Sequence, residues 1–234
     1  MALCNRGVRR TLLGACAYGA LGLTALATRS TCGQEDQGDA APQQQFDNQQ
    51  SRDNAIKLQG TGQQSSEKFV LQPGLTMVEV SHDGQSNLII RLLDEDGQNI
   101  DTLFNQIGAF RGEQGFGFAT GGQRLLEIAA DGNWTVAINQ PQPTDAQRLP
   151  TELQGTGYEA TPFIQLDKGL VVFKMKHNGE SRFRVTLRDR DGQLVETLVN
   201  TLGAFEGSKP VSIETPGVYF LNVGADGDWS IDAQ

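Results

Sequence analysis

Leu58-Gln59-Gly60-Thr61-Gly62 recurs as Leu153-Gln154-Gly155-Thr156-Gly157. Gly108-Ala109-Phe110 recurs as Gly203-Ala204-Phe205, and Ala130-Asp131-Gly132-Asn133-Trp134 as Ala225-Asp226-Gly227-Asp228-Trp229. All three pairs are displaced by 95 residues, so 58–139 aligns with 153–234 without a gap. About 30 aligned positions are identical, which marks a tandem duplication of one structural unit.

Within each copy the apolar residues alternate at strand period. Val78 and Val80 alternate with Glu79 and Ser81; Leu88, Ile90 and Leu92 alternate with Asn87, Ile89 and Arg91. Asp83-Gly84 lies between the two runs, and Asn178-Gly179 takes its place in the second copy. Both dipeptides read as hairpin turns, in which glycine accepts a positive φ. Asp94-Glu95-Asp96-Gly97 and Asp189-Arg190-Asp191-Gly192 close the next strands. Turn signals return every 8–12 residues or so, and no stretch has a clean helical period. The fold expected is all-β: two tandem antiparallel β-sandwiches, jelly-roll or Ig-like.

The segments outside the repeats have different compositions. Residues 1–27 read as an export signal, with basic Arg6, Arg9 and Arg10, an apolar run, and Ala25-Leu26-Ala27 as a cleavage site. Arg9-Arg10-Thr11-Leu12-Leu13 resembles a twin-arginine core, so Tat and Sec export are both open. A lipidated form through Cys16 or Cys32, or an uncleaved anchor, is also open. Residues 28–57 are rich in Gln, Asp and Asn and read as a disordered tether. The domains are then 58–141 and 153–234, with Pro141 and Pro143 opening a spacer over 142–152. The location expected is periplasm, lumen or cell surface.

Net charge is −9. An acidic surface argues against nucleic acid as a partner. The three cysteines, Cys4, Cys16 and Cys32, all precede the repeats, so no folded region offers a disulfide framework or thiol nucleophile. His82 and His177 occupy equivalent positions, one per copy, too few for a histidine metal cluster. They read as turn-capping or solvated residues. Asp94-x-Asp96-Gly97 and its copy lack the further ligands of a calcium loop. Ser86 and Ser181 are not in a GxSxG context. No catalytic residue, metal or cofactor is expected.

What both copies keep is chiefly glycine, turn aspartate, core leucine and Trp134/Trp229. Phe69-x-Leu71-x-x-Gly74-Leu75, His82-x-Gly84, Leu92-x-Asp94-x-x-Gly97, Gly122 and Ala130-Asp131-Gly132-x-Trp134 resemble a β-sandwich module of bacterial extracytoplasmic proteins. The pattern is also similar to pre-peptidase C-terminal domains, jelly-roll-like modules appended to secreted enzymes. The resemblance implies a fold and a location but no active site. No enzyme domain accompanies the two modules, so a role accessory to catalysis in the same chain is not expected.

The copies differ most on their outward positions. In copy 2, Phe173, Met175, Phe183, Val185 and Leu187 are expected to face inward. Lys174, Lys176, Arg182, Arg184 and Arg188 then face outward, and adjacent strands would gather them into one basic patch. In copy 1 the matching face is neutral and partly apolar, with Met77, Ile89 and Leu93. The basic patch is a candidate site for an anionic polysaccharide, phospholipid headgroups or an acidic envelope protein. The Met77/Ile89/Leu93 face is a candidate interface with copy 2 or a protein partner. A non-catalytic binding or assembly role is expected; the alternatives are a carbohydrate-binding module, needing Trp or Tyr exposed in a line and losing the support of Trp134 and Trp229 if these are buried, and, less favoured, a calcium-dependent adhesion module.

Overall fold

The computed structural model describes residues 55–234. The export signal, the three cysteines and nearly all of the tether lie outside these residues. Copy 1 contains β1 (Ile56–Thr61), β2 (Gln64–Ser65), β3 (Phe69–Leu71), β4 (Gly74–His82), β5 (Asn87–Asp94), β6 (Asn99–Ile107), β7 (Phe110–Phe118), β8 (Gly122–Ala129) and β9 (Asn133–Asn139). Copy 2 contains β10 (Gln147–Arg148), β11 (Thr151–Thr156), β12 (Glu159–Ala160), β13 (Ile164–Leu166), β14 (Gly169–His177), β15 (Arg182–Asp189), β16 (Leu194–Leu202), β17 (Phe205–Ile213), β18 (Gly217–Gly224) and β19 (Asp228–Ala233). β1 takes in Ile56 and Lys57 from the segment read as tether. The spacer is not all spacer: β10 pairs in parallel with β13, and β11 begins at Thr151.

Each copy is a sandwich of two sheets in jelly-roll order. In copy 1 one sheet runs β1-β9-β4-β7; the other runs β8-β5-β6, with β2 and β3 both on the outer side of β8. Copy 2 repeats this as β11-β19-β14-β17 and β18-β15-β16, with β12 and β13 on β18. Inward residues of the two sheets meet in one core per copy. Phe173, Met175, Phe183, Val185 and Leu187 are all buried there, as the alternation requires.

The Asp83-Gly84 and Asn178-Gly179 turns are not hairpins. β4 and β5 lie in different sheets, as do β14 and β15, so each turn arches across the sandwich. The arch is held by the neighbouring β8–β9 loop. Asp131 Oδ2 accepts the Gln85 and Ser86 N–H groups, at 3.0 and 2.9 Å. Asp83 accepts from the backbone and side chain of Asn133. Gly84 and Gly179 are not among the glycines of positive φ. Their missing Cβ is needed because the arch and the opposing aspartate approach so closely.

The repeated pentapeptide has a packing cause. β1 pairs with β9 and sets Gly60 against Trp134, whose indole leaves no room for a Cβ there. Trp134 Nε1 donates to Gly62 O at 3.0 Å. Gly155 and Trp229 repeat the packing. Trp229 Nε1, however, is buried without a partner among the described residues. Trp134→Phe is therefore expected to cost about 1 kcal/mol more than Trp229→Phe in urea denaturation. Equal costs would show that the indole hydrogen bond contributes nothing.

Candidate functional site

The arch separates the predicted basic residues. Lys174 and Lys176 project from β14 in one sheet; Arg182, Arg184 and Arg188 project from β15 in the other. The single patch expected from a hairpin does not form, because the arch places the two strands on opposite sides of the sandwich. Acids neutralise the lysine side: Lys176 pairs with Glu206 at 2.9 Å, and Lys174 stands opposite Asp232 in register. The candidate interface is divided in the same way. Met77 lies on β4 and packs with Leu75 and Phe220 between the copies. Ile89 and Leu93 lie half-buried on β5, on the other sheet, beside the Arg91–Glu127 pair.

The contact between copies follows from two glycines and one asparagine. Asn222 is buried on β18. Its Nδ2 donates to Gly115 O at 2.7 Å, and its Oδ1 accepts the Gly115 N–H at 2.9 Å. The Glu113 N–H donates to Tyr158 O at 3.0 Å, and Gln114 Nε2 to Val223 O at 2.9 Å. Copy 2 thus satisfies the outer edge of β7 much as a neighbouring strand would. A Cβ on Gly115 would meet the Phe220 ring at 2.5 Å, and one on Gly117 the Gly192 backbone at 2.5 Å. The aligned positions in copy 2 are Pro210 and Ser212, so its outer face cannot repeat this approach.

The same docking leaves a cleft of about 1040 Å³ between the copies. One wall is β15, presenting Arg182, Arg184 and Arg188. Opposite are β6 and β7 of copy 1, with Asp101, Phe110, Arg111 and Gln114. The register partner of Arg184 on β18 is Gly224, which leaves room for a ring beside Arg184. Tyr158 lies over that glycine and meets Phe110 edge to face at 5.1 Å.

Two guanidiniums are spoken for. Arg188 donates to Gly192 O at 2.7 Å, and Arg111 pairs with Glu79 at 3.3 Å. Arg182 and Arg184 have no hydrogen-bond or ion-pair partner among the described residues. Burial pushes Arg188 below the usual guanidinium value, helped by the neighbouring Arg184 charge and opposed by Asp101 and Asp189. It remains cationic in neutral water. Asp226, the cleft's second acid, is occupied in accepting the Glu180 and Ser181 N–H groups.

The other sequence candidates have structural roles. His82 is buried; its Nδ1–H donates to Gly108 O at 3.0 Å, and its Nε2 stands 3.3 Å from Asp131. His177 repeats this with Gly203 and Asp226. Both cap turns, and neither is solvated. Asp94 Oδ1 accepts the Asp96 and Gln98 N–H groups, and Asp189 does the same for Asp191 and Gln193. Among the described residues no group of three or more His, Cys, Asp or Glu is placed to hold a metal. No helix among them is long and apolar enough to cross a membrane. Trp134 and Trp229 are buried, so neither offers a sugar-stacking face.

The cleft is a feature of the tandem pair. Neither jelly roll contains it alone. No family model matches this sequence, and no curated relative does. Among solved structures, the chain is similar to the tandem CBM22 modules of Paenibacillus barcinonensis Xyn10C, at 9% identity and TM-score 0.25 over 75% of this chain and 84% of that one. It is similar to the PBSX exported protein XepA, at 9% identity and TM-score 0.24 over 77% and 85%. It is similar to a fucolectin from striped bass serum, at 10% identity and TM-score 0.23 over 76% and 83%. Likeness at this level carries no argument about function.

The turn carboxylates make this tandem jelly roll acid-sensitive. Hydrogen bonds from Asn133 hold the Asp83 carboxyl below the usual carboxylate range. For Asp131, burial raises the pKa, but the Gln85 and Ser86 N–H groups and His82 outweigh it, and the net shift is downward. Asp226 shows the same balance, and Thr156 and Asn178 lower Asp228. A depressed carboxylate stabilises the fold above its unfolded pKa and loses that contribution as pH falls through the folded value. Melting temperature is expected to drop as pH falls below about 4, and less steeply in Asp131→Asn/Asp226→Asn. Parallel profiles for the two proteins would show that these clamps are not the titrating groups.

Proposed function

We propose that this chain is an exported, non-catalytic binding protein of the periplasm, lumen or cell envelope, whose inter-repeat cleft takes an anionic ligand. The supporting observation is the pair Arg182 and Arg184, adjacent on one strand face and without internal partners, on a chain of net charge −9. Like charges held together at a cleft await an anion, and guanidinium suits carboxylate or sulfate through paired N–H donors. The burial of Trp134 and Trp229 removes the support for a neutral-sugar module built on those rings. The occupied Asp94 and Asp189 carboxylates give a calcium-dependent adhesion module no support either.

Retention on immobilised dextran sulfate tests the reading. The wild-type chain should bind and elute with salt, and Arg182→Glu/Arg184→Glu/Arg188→Glu should pass through. Lys174→Glu/Lys176→Glu should still be retained. Equal behaviour of the two charge-reversed proteins would contradict a site in the cleft. Cell fractionation tests the location: recovery in the cytosol would contradict export.

A further inference from the structure

We infer that the occupant of the cleft is an acidic protein segment in extended conformation, adding as a strand to the free edge of β6. The inference rests on reading the cleft as an anion site and assigns the class of anion.

Three observations carry it. First, the consecutive residues Phe104 to Ile107 all border the cleft, although Phe104 and Gln106 turn inward while Asn105 and Ile107 are exposed. Consecutive residues of both parities border one space only where the strand edge faces it. β6 pairs with β5 alone, and over Phe104–Ile107 that pairing is free of register shifts. Its outer N–H and C=O groups are thus presented to the cleft.

Second, the adjoining edge is already used in this way. Copy 2 satisfies β7 through Tyr158 O and the Asn222 carboxamide, both bonded to its backbone. This side of the first sandwich accepts backbone pairing, and the docking stops short of β6.

Third, the charges have a strand's spacing. Arg182 and Arg184 are two residues apart on one face of β15, about 6.7 Å along the strand. An extended peptide repeats its side chains at the same interval, so acids at alternate positions meet both guanidiniums. The Arg182 end carries one exposed aliphatic side chain: Ile107 is 80% exposed on the facing wall. The segment that fits has alternating Asp or Glu and one aliphatic residue at that end. Sugar hydroxyls have no such register with a strand edge. β16, the same strand in copy 2, has an equivalent free edge but does not border this cleft, so it serves as the internal control.

The test compares three probes on the unaltered protein and adds one charge-reversed variant. Fluorescence anisotropy would follow the full chain binding a labelled eight-residue peptide of alternating Glu and Val. A second peptide, N-methylated at alternate residues, keeps the charge and loses strand donors. A polyuronate oligosaccharide of equal charge is the third probe. The plain peptide is expected to bind, the N-methylated peptide to bind at least tenfold more weakly, and the oligosaccharide to compete poorly. Arg182→Glu/Arg184→Glu should abolish peptide binding. Equal affinity for the two peptides, or preference for the oligosaccharide, would overturn strand addition and leave the anion site standing. Binding by none of the three would overturn both.

Discussion

Replacing Asn222 by leucine is expected to cost about 2–6 kcal/mol and to separate the unfolding of the two sandwiches. Leucine nearly matches asparagine in shape but offers no polar atom. The Gly115 N–H and C=O would both lose their partners inside the contact. Each buried group left unsatisfied costs about 1–3 kcal/mol. The apolar part of the contact, Leu75, Met77 and Phe220 with Ala160 and Phe163 packed against them, supplies no hydrogen-bond partner for these groups. Copy 1 shows what the position becomes without this duty. Its equivalent is Glu127, exposed enough to pair with Arg91 at 2.7 Å. Calorimetry should show one transition for the wild type and two for Asn222→Leu. A single transition at an unchanged temperature would mean that the asparagine does not join the copies.

Phe183→Ala is expected to cost about 3–5 kcal/mol by guanidinium denaturation. Phe183 is fully buried in the second core. Its ring stacks on His177 at 4.5 Å and meets Phe205 at 5.8 Å. The alanine would leave a cavity beneath His177, which ends β14 and caps the β16–β17 turn through Gly203 O, loosening that turn as well as the core. Phe183→Leu should lose far less, because leucine occupies the equivalent position, Leu88, in copy 1. An alanine cost under about 1 kcal/mol would show that the core closes over the gap.

Much of the architecture can be read from repetition and alternation. The displacement of 95 residues defines two units, and the period of two assigns Phe173, Met175 and Phe183 inward. The same period cannot distinguish a hairpin from an arch, since both point alternate residues into one core. That ambiguity hides the separation of Lys174 and Lys176 from the three arginines. The glycine role was obscured in a related way: Gly84 is required by the approach of Asp131, a neighbour distant in sequence. The cleft was harder still to foresee, because it lies between sheets of different copies. A signal does exist in the departures between copies. Gly115, Gly117, Phe220, Asn222 and Tyr158 stand where the other copy has Pro210, Ser212, Leu125, Glu127 and Gln63. At these positions the two copies differ in size or polarity where they meet.

Backbone amide NMR of the full chain, titrated with soluble dextran sulfate, tests the cleft most directly. Chemical-shift changes are expected along β6 and around Arg182, Arg184 and Thr186, and to disappear in the triple arginine variant. Changes centred on Lys174 and Lys176, or spread evenly over both outer faces of copy 2, would contradict a binding site formed between the repeats.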